Sequence, residues 1–395
     1  MRADKAVRRS GTAALVCLLV VAACIPALAG SYEQINLVSD IAGVARNTDI
    51  RLTCNIQMPG GPAAPCLVNP WGITYGPTTP FWISDNGAGV STLYDGAGTA
   101  RNLVVAIPPP AGSPAGTLAA PTGIVFNGTG GFTVSENGKS GSALFIFATE
   151  DGTISGWSPG VDLNNAVLAV DNSTGSATSV DHSALGAVYK GLALATVGGA
   201  NFIYATNFRD AVVEVYDSSF HLVKSFTDTT VSAGFAPFGI QNINGKLFIT
   251  FAKQNDQKHD DVAGPGNGFV DVLDLLHEGN DGHLDRFASG GVLNSPWGVA
   301  LAPSGFGQFS HHMLIGNFGD GHINAFDQNG VSDGPLKDFH RQPITINGLW
   351  GLKFGGGAAN NVNGATNSLF FTAGIGDESH GLFGMINVFR GCDEQ

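Results

Sequence analysis

The sequence is poor in charged side chains. Asp, Glu, Lys and Arg make up 13% of the 395 residues, about half the usual share of ~25%. Lys and Arg together number 19 against 32 Asp and Glu, which gives a formal net charge of −13. Binding to nucleic acid or to anionic lipid needs clustered basic side chains. The composition therefore argues against both functions.

The sequence also lacks the short motifs of two large enzyme classes. No glycine-rich phosphate loop opens a helix, and no serine stands in a nucleophile elbow. Nucleotide-dependent chemistry and serine-hydrolase chemistry therefore have no support in the sequence.

Cysteine is scarce, with five residues in the chain. Cys54 and Cys66 bracket a short segment rich in Pro and Gly, and no histidine stands beside them at ligand spacing, which argues against a zinc site. In an oxidising compartment the two are expected to form a disulfide. Cys392 is left over near the last residue.

The first residues have the pattern of an export signal. Four basic residues within the first nine precede an apolar run, and the small-residue site Ala27–Ala29 follows. The run is too short to span a bilayer comfortably. Residues 1–29 are thus predicted to be a signal peptide of an exported protein, periplasmic or secreted, with no transmembrane segment in the mature chain. Alternatively, processing at Cys24, which ends a sequence resembling a bacterial lipobox, would give a lipoprotein.

Glycine, in contrast, is abundant. The chain has 56 glycines, about twice the usual share of ~7%. Together with many β-branched and aromatic residues, they indicate short strands joined by tight turns. The length exceeds an average single core, so either two domains or one repeat-built domain is expected.

One short phrase recurs six times along the chain. In each copy a glycine is followed by an aliphatic residue, and the glycines are Gly72, Gly123, Gly191, Gly239, Gly298 and Gly351. A second apolar run, an alternating run and, in most units, a fourth stretch follow at a spacing of roughly fifty residues. This pattern predicts an all-β, six-bladed β-propeller of four-stranded blades. A pair of β-sandwiches would not explain six copies.

The sixth unit ends before a fourth strand, whereas the alternating segment Gln34–Val38 is spare at the start. We therefore expect the N-terminal strand to close the ring and leave no free sheet edge. Residues 30–395 are predicted to form a single propeller domain, in which residues 46–66 are an inserted disulfide loop.

The residue before each repeat glycine is a candidate for ligand binding. Three of the five tryptophans occupy this slot, and innermost strands that run in one direction bring all the slots to one mouth of the channel. An aromatic collar there could stack on a sugar or another planar ligand. The alternative is packing between neighbouring blades. The candidate ligand-binding residues are Trp71, Lys190, Phe238, Trp297 and Trp350.

Polar turns on the same face are candidates for metal binding. Oxygen ligands that converge from separate loops could hold calcium (Ca²⁺), although Asp and Asn are also ordinary turn residues. The candidate metal ligands are Asp85, Glu150, Asp151, Asn207 and Asn317.

Two enlarged loops carry histidine beside carboxylates. The fourth unit has a long loop over residues 252–268, and the sixth has an enlarged turn over residues 374–381. Such a histidine can act as a general base or as a metal ligand, and the alternative is a solvated polar loop. The candidate catalytic residues are His259, Asp260, Asp261, Asp377, Glu378 and His380.

Four segments carry a resemblance to an uncharacterised family of exported bacterial propellers, some of whose members end in a PEP-CTERM sorting tail. These segments are residues 69–73, 145–152, 258–272 and 382–384. The single repeats also resemble NHL repeats. The resemblance implies the fold and an exported setting but no established activity. This chain departs from the family pattern in ending without a sorting tail.

Three functions remain open on this basis. The leading hypothesis is a non-enzymatic binding module outside the cytoplasm, with a carbohydrate, another small molecule or an envelope protein as its partner. A calcium-dependent hydrolase or lactonase is the first alternative, because other six-bladed propellers perform that chemistry. A protein–protein scaffold is the second.

Overall fold

Six antiparallel sheets arranged as propeller blades make up the structure, a computed structural model. It describes residues 30–51, 54, 64–174, 185–275 and 284–390. Within these ranges every regular element is a β-strand, apart from three short 3-10 turns. None of their helices is long and apolar enough to cross a membrane. The all-β propeller prediction is confirmed. The predicted signal peptide, Cys24 and Cys392 lie outside the described residues.

Two strands precede the first blade, and the first three blades then follow in chain order. The leading strands are β1 (Tyr32–Ser39) and β2 (Asn47–Thr48). Blade I contains β3 (Pro70–Thr74), β4 (Phe81–Asp85), β5 (Val90–Tyr94) and β6 (Ala100–Ala106). Blade II contains β7 (Pro121–Phe126), the side hairpin β8 (Thr133–Glu136) and β9 (Lys139–Ser142), then β10 (Phe145–Thr149), β11 (Thr153–Trp157) and β12 (Val167–Asp171). Blade III contains β13 (Tyr189–Val197), β14 (Ala200–Asn207), β15 (Val212–Asp217) and β16 (Leu222–Phe226).

The remaining three blades repeat this order of strands. Blade IV contains β17 (Phe235–Ile243), β18 (Lys246–Lys253), β19 (Phe269–Asp274) and β20 (Asp285–Ser289). Blade V contains β21 (Pro296–Leu301), β22 (Met313–Asn317), β23 (Ile323–Phe326) and β24 (Ser332–Pro335). Blade VI contains β25 (Leu349–Phe354), β26 (Leu369–Ala373) and β27 (Leu382–Val388).

Strand β1 supplies the fourth strand of blade VI, as predicted, and the two-residue strand β2 pairs in parallel with its outer side. It pairs antiparallel with β27, with Ile35 opposite Met385. The Tyr32 hydroxyl donates a hydrogen bond to the Phe306 carbonyl at 3.0 Å, and the Tyr32 ring packs against those of Phe306 and Phe309 in blade V. Leu37 and Val38 of the same strand pack with Phe81 of blade I, so β1 also links blade VI to blade I and closes the ring.

Glycine is required at the repeat positions because neighbouring inner strands approach closely there. A Cβ atom on Gly72 would lie 2.4 Å from the Thr122 carbonyl oxygen, and one on Gly351 would lie 2.6 Å from that of Trp71. Only glycine allows such an approach of backbones. The Thr372 hydroxyl also donates to the Trp71 carbonyl at 2.5 Å. The phrase in the sequence thus encodes the contact between consecutive blades.

The hydrophobic core is divided among the spaces between blades. Between blades II and III it contains Ile146 and Ile203, and between blades VI and I it contains Phe81 and Phe370. Each cluster needs two blades to cover it, so the ring is stable only when closed.

Cys54 and Cys66 form the predicted disulfide, with Cα atoms 5.0 Å apart. Both are buried against Ala88 and Val90 of blade I. The disulfide itself therefore packs against that blade.

Candidate binding site at the aromatic mouth

Five aromatic rings meet at the mouth where the inner strands begin. The rings of Trp71 and Trp350 stack with centroids 3.6 Å apart, and Phe318 stacks on Trp350 at 4.0 Å. Trp297 stands edge-on to both tryptophans, and Phe238 lies 5.9 Å from Trp350. Because these residues come from blades I, IV, V and VI, they can meet only near the axis. We call them the aromatic plug.

The sequence predicted an aromatic collar open to a ligand, but in the structure the aromatic rings fill that space themselves. Trp71, Phe238 and Trp350 are 2%, 0% and 1% exposed, and Trp297 is half-buried. The Trp297 Nε1 donates to the Lys190 carbonyl at 2.9 Å. Burying large rings against one another is strongly favourable, so no ligand can stack on the three buried rings while the plug is intact.

Lys190 places a buried ammonium group beside the plug. Its Nζ forms an ion pair with Glu150 and lies 3.4 Å from Asp260 Oδ1. It also lies 5.2 Å from the Trp71 ring and 5.7 Å from the Phe208 ring. Carboxylates and aromatic faces both stabilise a cation that has lost its water. Lys190 is therefore a compensated charge rather than a free ligand-binding group.

Two amides connect the plug to the carboxylates. Trp350 Nε1 donates to Asn69 Oδ1 at 3.0 Å, and Asn69 Nδ2 donates to Glu378 Oε2 at 2.6 Å. Asn86 Nδ2 donates to Glu150 Oε2 at 2.8 Å. Burial raises the pKa of Glu378, and the Asn69 hydrogen bond opposes that rise. Asn69 was not among the predicted site residues, and its position directly before Pro-Trp-Gly is the signal that could have found it.

The blade IV loop brings His259, Asp260 and Asp261 to this face. His259 Nδ1 and Asp260 Oδ1 are 2.8 Å apart. This hydrogen bond, together with Lys190, lowers the pKa of Asp260 to about 2 despite its partial burial. Burial raises the pKa of Asp261, whose Oδ2 has no hydrogen-bond partner among the described residues. The two neighbouring carboxyls therefore differ in their affinity for a proton.

Backbone contacts fix the loop in this position. Strand β18 continues to Lys253, so the irregular part is residues 254–268. Gln254 pairs with Asp261 in an isolated bridge, and its Nε2 donates to the Phe208 carbonyl at 2.6 Å. The loop is therefore attached to blade III beside the plug, on the face that the sequence predicted.

A cavity of about 850 Å³ lies between this loop and the turn that joins β14 to β15 in blade III. Its described lining includes Arg209, Gln254, Asp256, His259 and Asp260, and no Phe, Tyr or Trp is among the described residues that line it. Ligand pockets have volumes of roughly 300–1,000 Å³. The cavity has the size of a ligand site, and the His259–Asp260 pair is part of its lining.

The five predicted metal ligands do not converge. Asp85, Asp151, Asn207 and Asn317 form hydrogen bonds within the turns of their own blades. Glu150 is the one that reaches the cluster around Lys190. Each of the four has a nearby backbone or side-chain partner, which is the ordinary structural role of Asp and Asn in turns. Asp85 Oδ1 and Asn317 Oδ1 are nevertheless buried without a hydrogen-bond partner among the described residues.

A different trio brings possible ligand atoms together. Among the described residues, atoms of Glu150, His259 and Asp260 lie within 4.8 Å of one another. However, the Lys190 ammonium already bridges the two carboxylates. Calcium takes six to eight oxygen ligands, and a buried ammonium at the same point repels it. These residues therefore do not fit a resident Ca²⁺ ion.

The blade VI turn contributes one of its three candidates. Glu378 joins the cluster through Asn69. Asp377 is exposed, and His380 Nδ1 lies 2.6 Å from Asp40 Oδ2, just after the closing strand. His380 therefore helps to hold the N-terminal strand, away from the cavity lining.

Two viral proteins are similar to this chain. An uncharacterised protein of Acanthamoeba polyphaga mimivirus is 31% identical over 338 residues, which is 82% of this chain and 75% of that protein. A second uncharacterised protein of the same virus is 31% identical over 296 residues, 73% of each chain. These relatives are viral, whereas the resemblance noted in the sequence was to bacterial proteins. No protein-family model matches the chain.

Solved structures share the fold at low identity. The virginiamycin B lyase of Staphylococcus aureus with quinupristin is 12% identical, with a TM-score of 0.46 over 81% of this chain and 80% of that chain. The WD40 propeller domain of Doa1 is 10% identical, with a TM-score of 0.42 over 80% and 93%. At such identity neither carries information about activity. By its sequence relatives, this six-bladed propeller belongs to the family of the two mimivirus proteins.

Proposed function

We propose that this protein is a binding module that takes a polar, carbohydrate-like ligand in the cavity beside the 254–268 loop. The position of the cavity is the observation that carries the proposal. The 254–268 loop, which backbone contacts fix beside the plug, forms much of its lining, and the lining includes the His259–Asp260 pair. Long loops on a rigid scaffold are common places for ligand recognition.

The lining favours a ligand with hydroxyl groups. Arg209 supplies donors, Asp256 and Asp260 supply acceptors, and the Gln257 amide supplies both. Hydroxyls donate and accept hydrogen bonds, so a mixed set of this kind can bind several of them without a net charge on the ligand. With the plug rings buried, hydrogen bonds rather than stacking would provide most of the specificity.

We further propose that the protein works outside the cytoplasm, with an envelope glycan or glycoprotein as its partner. The basic and apolar pattern of residues 1–29 supports export. The Cys54–Cys66 disulfide supports it independently, because disulfides persist in oxidising compartments.

Calorimetric titration with soluble oligosaccharides of N-acetylglucosamine, galactose or mannose tests the ligand class. We expect at least one series to bind, and His259→Ala or Asp256→Ala to weaken it by about tenfold or more, or about 1.4 kcal/mol. His221→Ala is the matched control, since His221 is an exposed histidine beside Asp217 in an outer hairpin. Absence of binding in every series, or an equal loss in the control, would contradict the proposal.

A metal-dependent hydrolase is the second candidate, favoured by the approach of Glu150, His259 and Asp260. Titration of the metal-free protein with calcium separates the two functions. We expect no specific binding, because the Lys190 ammonium occupies the position between the carboxylates. Stoichiometric binding that Asp260→Asn removes, together with any hydrolytic turnover, would replace the first proposal by the second.

A further inference from the structure

A second cavity lies at the opposite end of the inner strands. It has a volume of about 330 Å³ and is lined by β3, β7, β13, β17 and β25. Between it and the aromatic plug, the channel beside the repeat glycines contains a much smaller cavity of about 30 Å³. We call the wider cavity the far mouth. It is separate from the loop cavity.

Two long polar side chains enter the far mouth at one repeat position. In four blades, the second residue after the repeat glycine is short or apolar, namely Thr74, Val125, Ala193 and Ala300. In blades IV and VI the same position is Gln241 and Lys353, and both line the cavity. Four blades fold with a small side chain here, so the fold itself does not require these two groups.

Lys353 has no counter-ion within the described protein. Burial lowers the pKa of its ammonium group, and it forms no ion pair with a described residue. Its Nζ lies 5.6 Å from the ring of Tyr75, whose hydroxyl is already engaged with the Phe354 carbonyl at 2.8 Å. An unpaired ammonium in partly apolar surroundings is costly. Contact with an anion would relieve that cost.

The rest of the far mouth restricts the kind of anion. Its walls are mixed: Ile73, Ile124 and Leu192 supply an apolar part, and polar side chains such as Thr74 supply the rest. Asn242 is occupied, because its Nδ2 donates to the Leu194 carbonyl at 2.9 Å. A strongly hydrated inorganic ion gains nothing from aliphatic walls, whereas an organic anion buries its apolar part there. The volume is at the lower end of the roughly 300–1,000 Å³ range of ligand pockets.

We propose that the far mouth binds a small organic carboxylate, whose anionic group pairs with Lys353 and the Gln241 amide and whose apolar part contacts Ile73, Ile124 and Leu192. This site is independent of the ligand proposed for the loop cavity. The site requires two properties of its ligand, a negative charge and an apolar part, and each can be tested separately.

Calorimetric titrations with benzoate, neutral benzamide and inorganic phosphate at constant ionic strength make the test. We expect benzoate to bind with one-to-one stoichiometry, and benzamide and phosphate to bind at least about tenfold more weakly. Lys353→Met should weaken benzoate by a similar factor. Lys246→Met is the matched control, because Lys246 is an exposed lysine already paired with Asp274, and it should leave benzoate binding unchanged.

A measurement on the unmodified protein covers the case in which Lys353→Met fails to fold. Reductive methylation followed by peptide mass spectrometry should modify Lys353, and benzoate should slow its modification without protecting Lys246. Equal affinity for benzoate and benzamide, full binding by the folded Lys353→Met variant, or absence of protection would overturn the proposal. Equal affinity for phosphate would overturn the choice of an organic ligand.

Discussion

Replacing Lys190 by Met should destabilise the propeller by about 3 kcal/mol near pH 7.5. Methionine keeps the length and the contact with the rings of Trp71 and Phe208 but removes the ammonium group. In the variant, the Glu150 carboxylate no longer has a cationic partner. Removing one partner from a buried ion pair costs roughly 3–5 kcal/mol, because the other charge stays desolvated and unpaired.

The exposed fractions of the three side chains place the expected loss of folding free energy at the lower end of that range. The Lys190 side chain is 2% exposed and that of Glu150 is 12% exposed, but that of Asp260 is 61% exposed. Solvent-exposed pairs contribute about 0–1 kcal/mol, so the contact with Asp260 adds little. Asn86 would still donate a hydrogen bond to Glu150 and keep it partly satisfied.

Urea unfolding followed by tryptophan fluorescence is the assay, since Trp71, Trp297 and Trp350 lie at the site. Burial already raises the pKa values of Glu378 and Asp261, and Lys190 opposes that rise. Without Lys190 both values rise further above those of the unfolded chain. Such groups favour the folded state at low pH and lose that contribution as the pH rises through the folded-state value. Acidification to about pH 5 should therefore recover part of the lost stability.

The matched control is Lys246→Met, which removes an exposed pair with Asp274 and should change the free energy of unfolding by less than about 0.5 kcal/mol. If Lys190→Met also stays within about 0.5 kcal/mol of the wild type and shows no added pH dependence, the reasoning about a compensated buried charge is wrong. Calcium titration of that variant would then be informative, because the trio of Glu150, His259 and Asp260 would no longer contain an ammonium.

Three further predictions follow from the fold. Deleting residues 30–40 removes β1 and should abolish most of the stability, and an unchanged melting temperature would rule out closure by this strand. Reducing the Cys54–Cys66 bond should lower the free energy of unfolding by roughly 3 kcal/mol while the circular dichroism of the blades persists, and immediate unfolding would contradict its peripheral role. Asp271 shares Arg286 with Asp228, and burial raises the pKa of Asp271 to about 7. Since that value exceeds the unfolded one, the free energy of unfolding should fall as the pH rises from about 4 to about 7, and Asp271→Asn should reduce this pH dependence in urea-unfolding measurements.

The fold could be predicted because one local rule is repeated. A glycine such as Gly72 is required wherever an inner strand touches the next blade. The number of repeated glycine motifs, six, therefore predicts the number of blades. The closing strand could be predicted by counting strands, because the sixth unit has one strand too few and one extra strand precedes the first unit. The predicted segment Gln34–Val38 lies within the observed strand β1.

The candidate site could be predicted to the level of a face of the molecule. Strand direction alone brings Glu150, His259, Asp260 and Glu378 to one mouth. The plug could not be foreseen, because it depends on how closely three indoles approach across the axis. The bond from Asn69 to Glu378 joins residues 309 positions apart, and no local pattern encodes it. Turn residues such as Asp85 were misleading because their local hydrogen bonds give the same sequence signal as a metal ligand.

The two lysines of the inner strands allow one last comparison. Lys190 precedes its repeat glycine and meets Glu150 and two aromatic rings, whereas Lys353 follows its glycine by two positions and meets no counter-ion among the described residues. The same substitution should therefore have opposite effects. Lys190→Met removes a compensated charge and should lower the melting temperature, whereas Lys353→Met removes an uncompensated one and should maintain or raise it. Opposite signs would show that the Lys353 ammonium does not stabilise the fold, which is what the proposed carboxylate site requires of it. A lower melting temperature for Lys353→Met would show instead that Lys353 has a structural role.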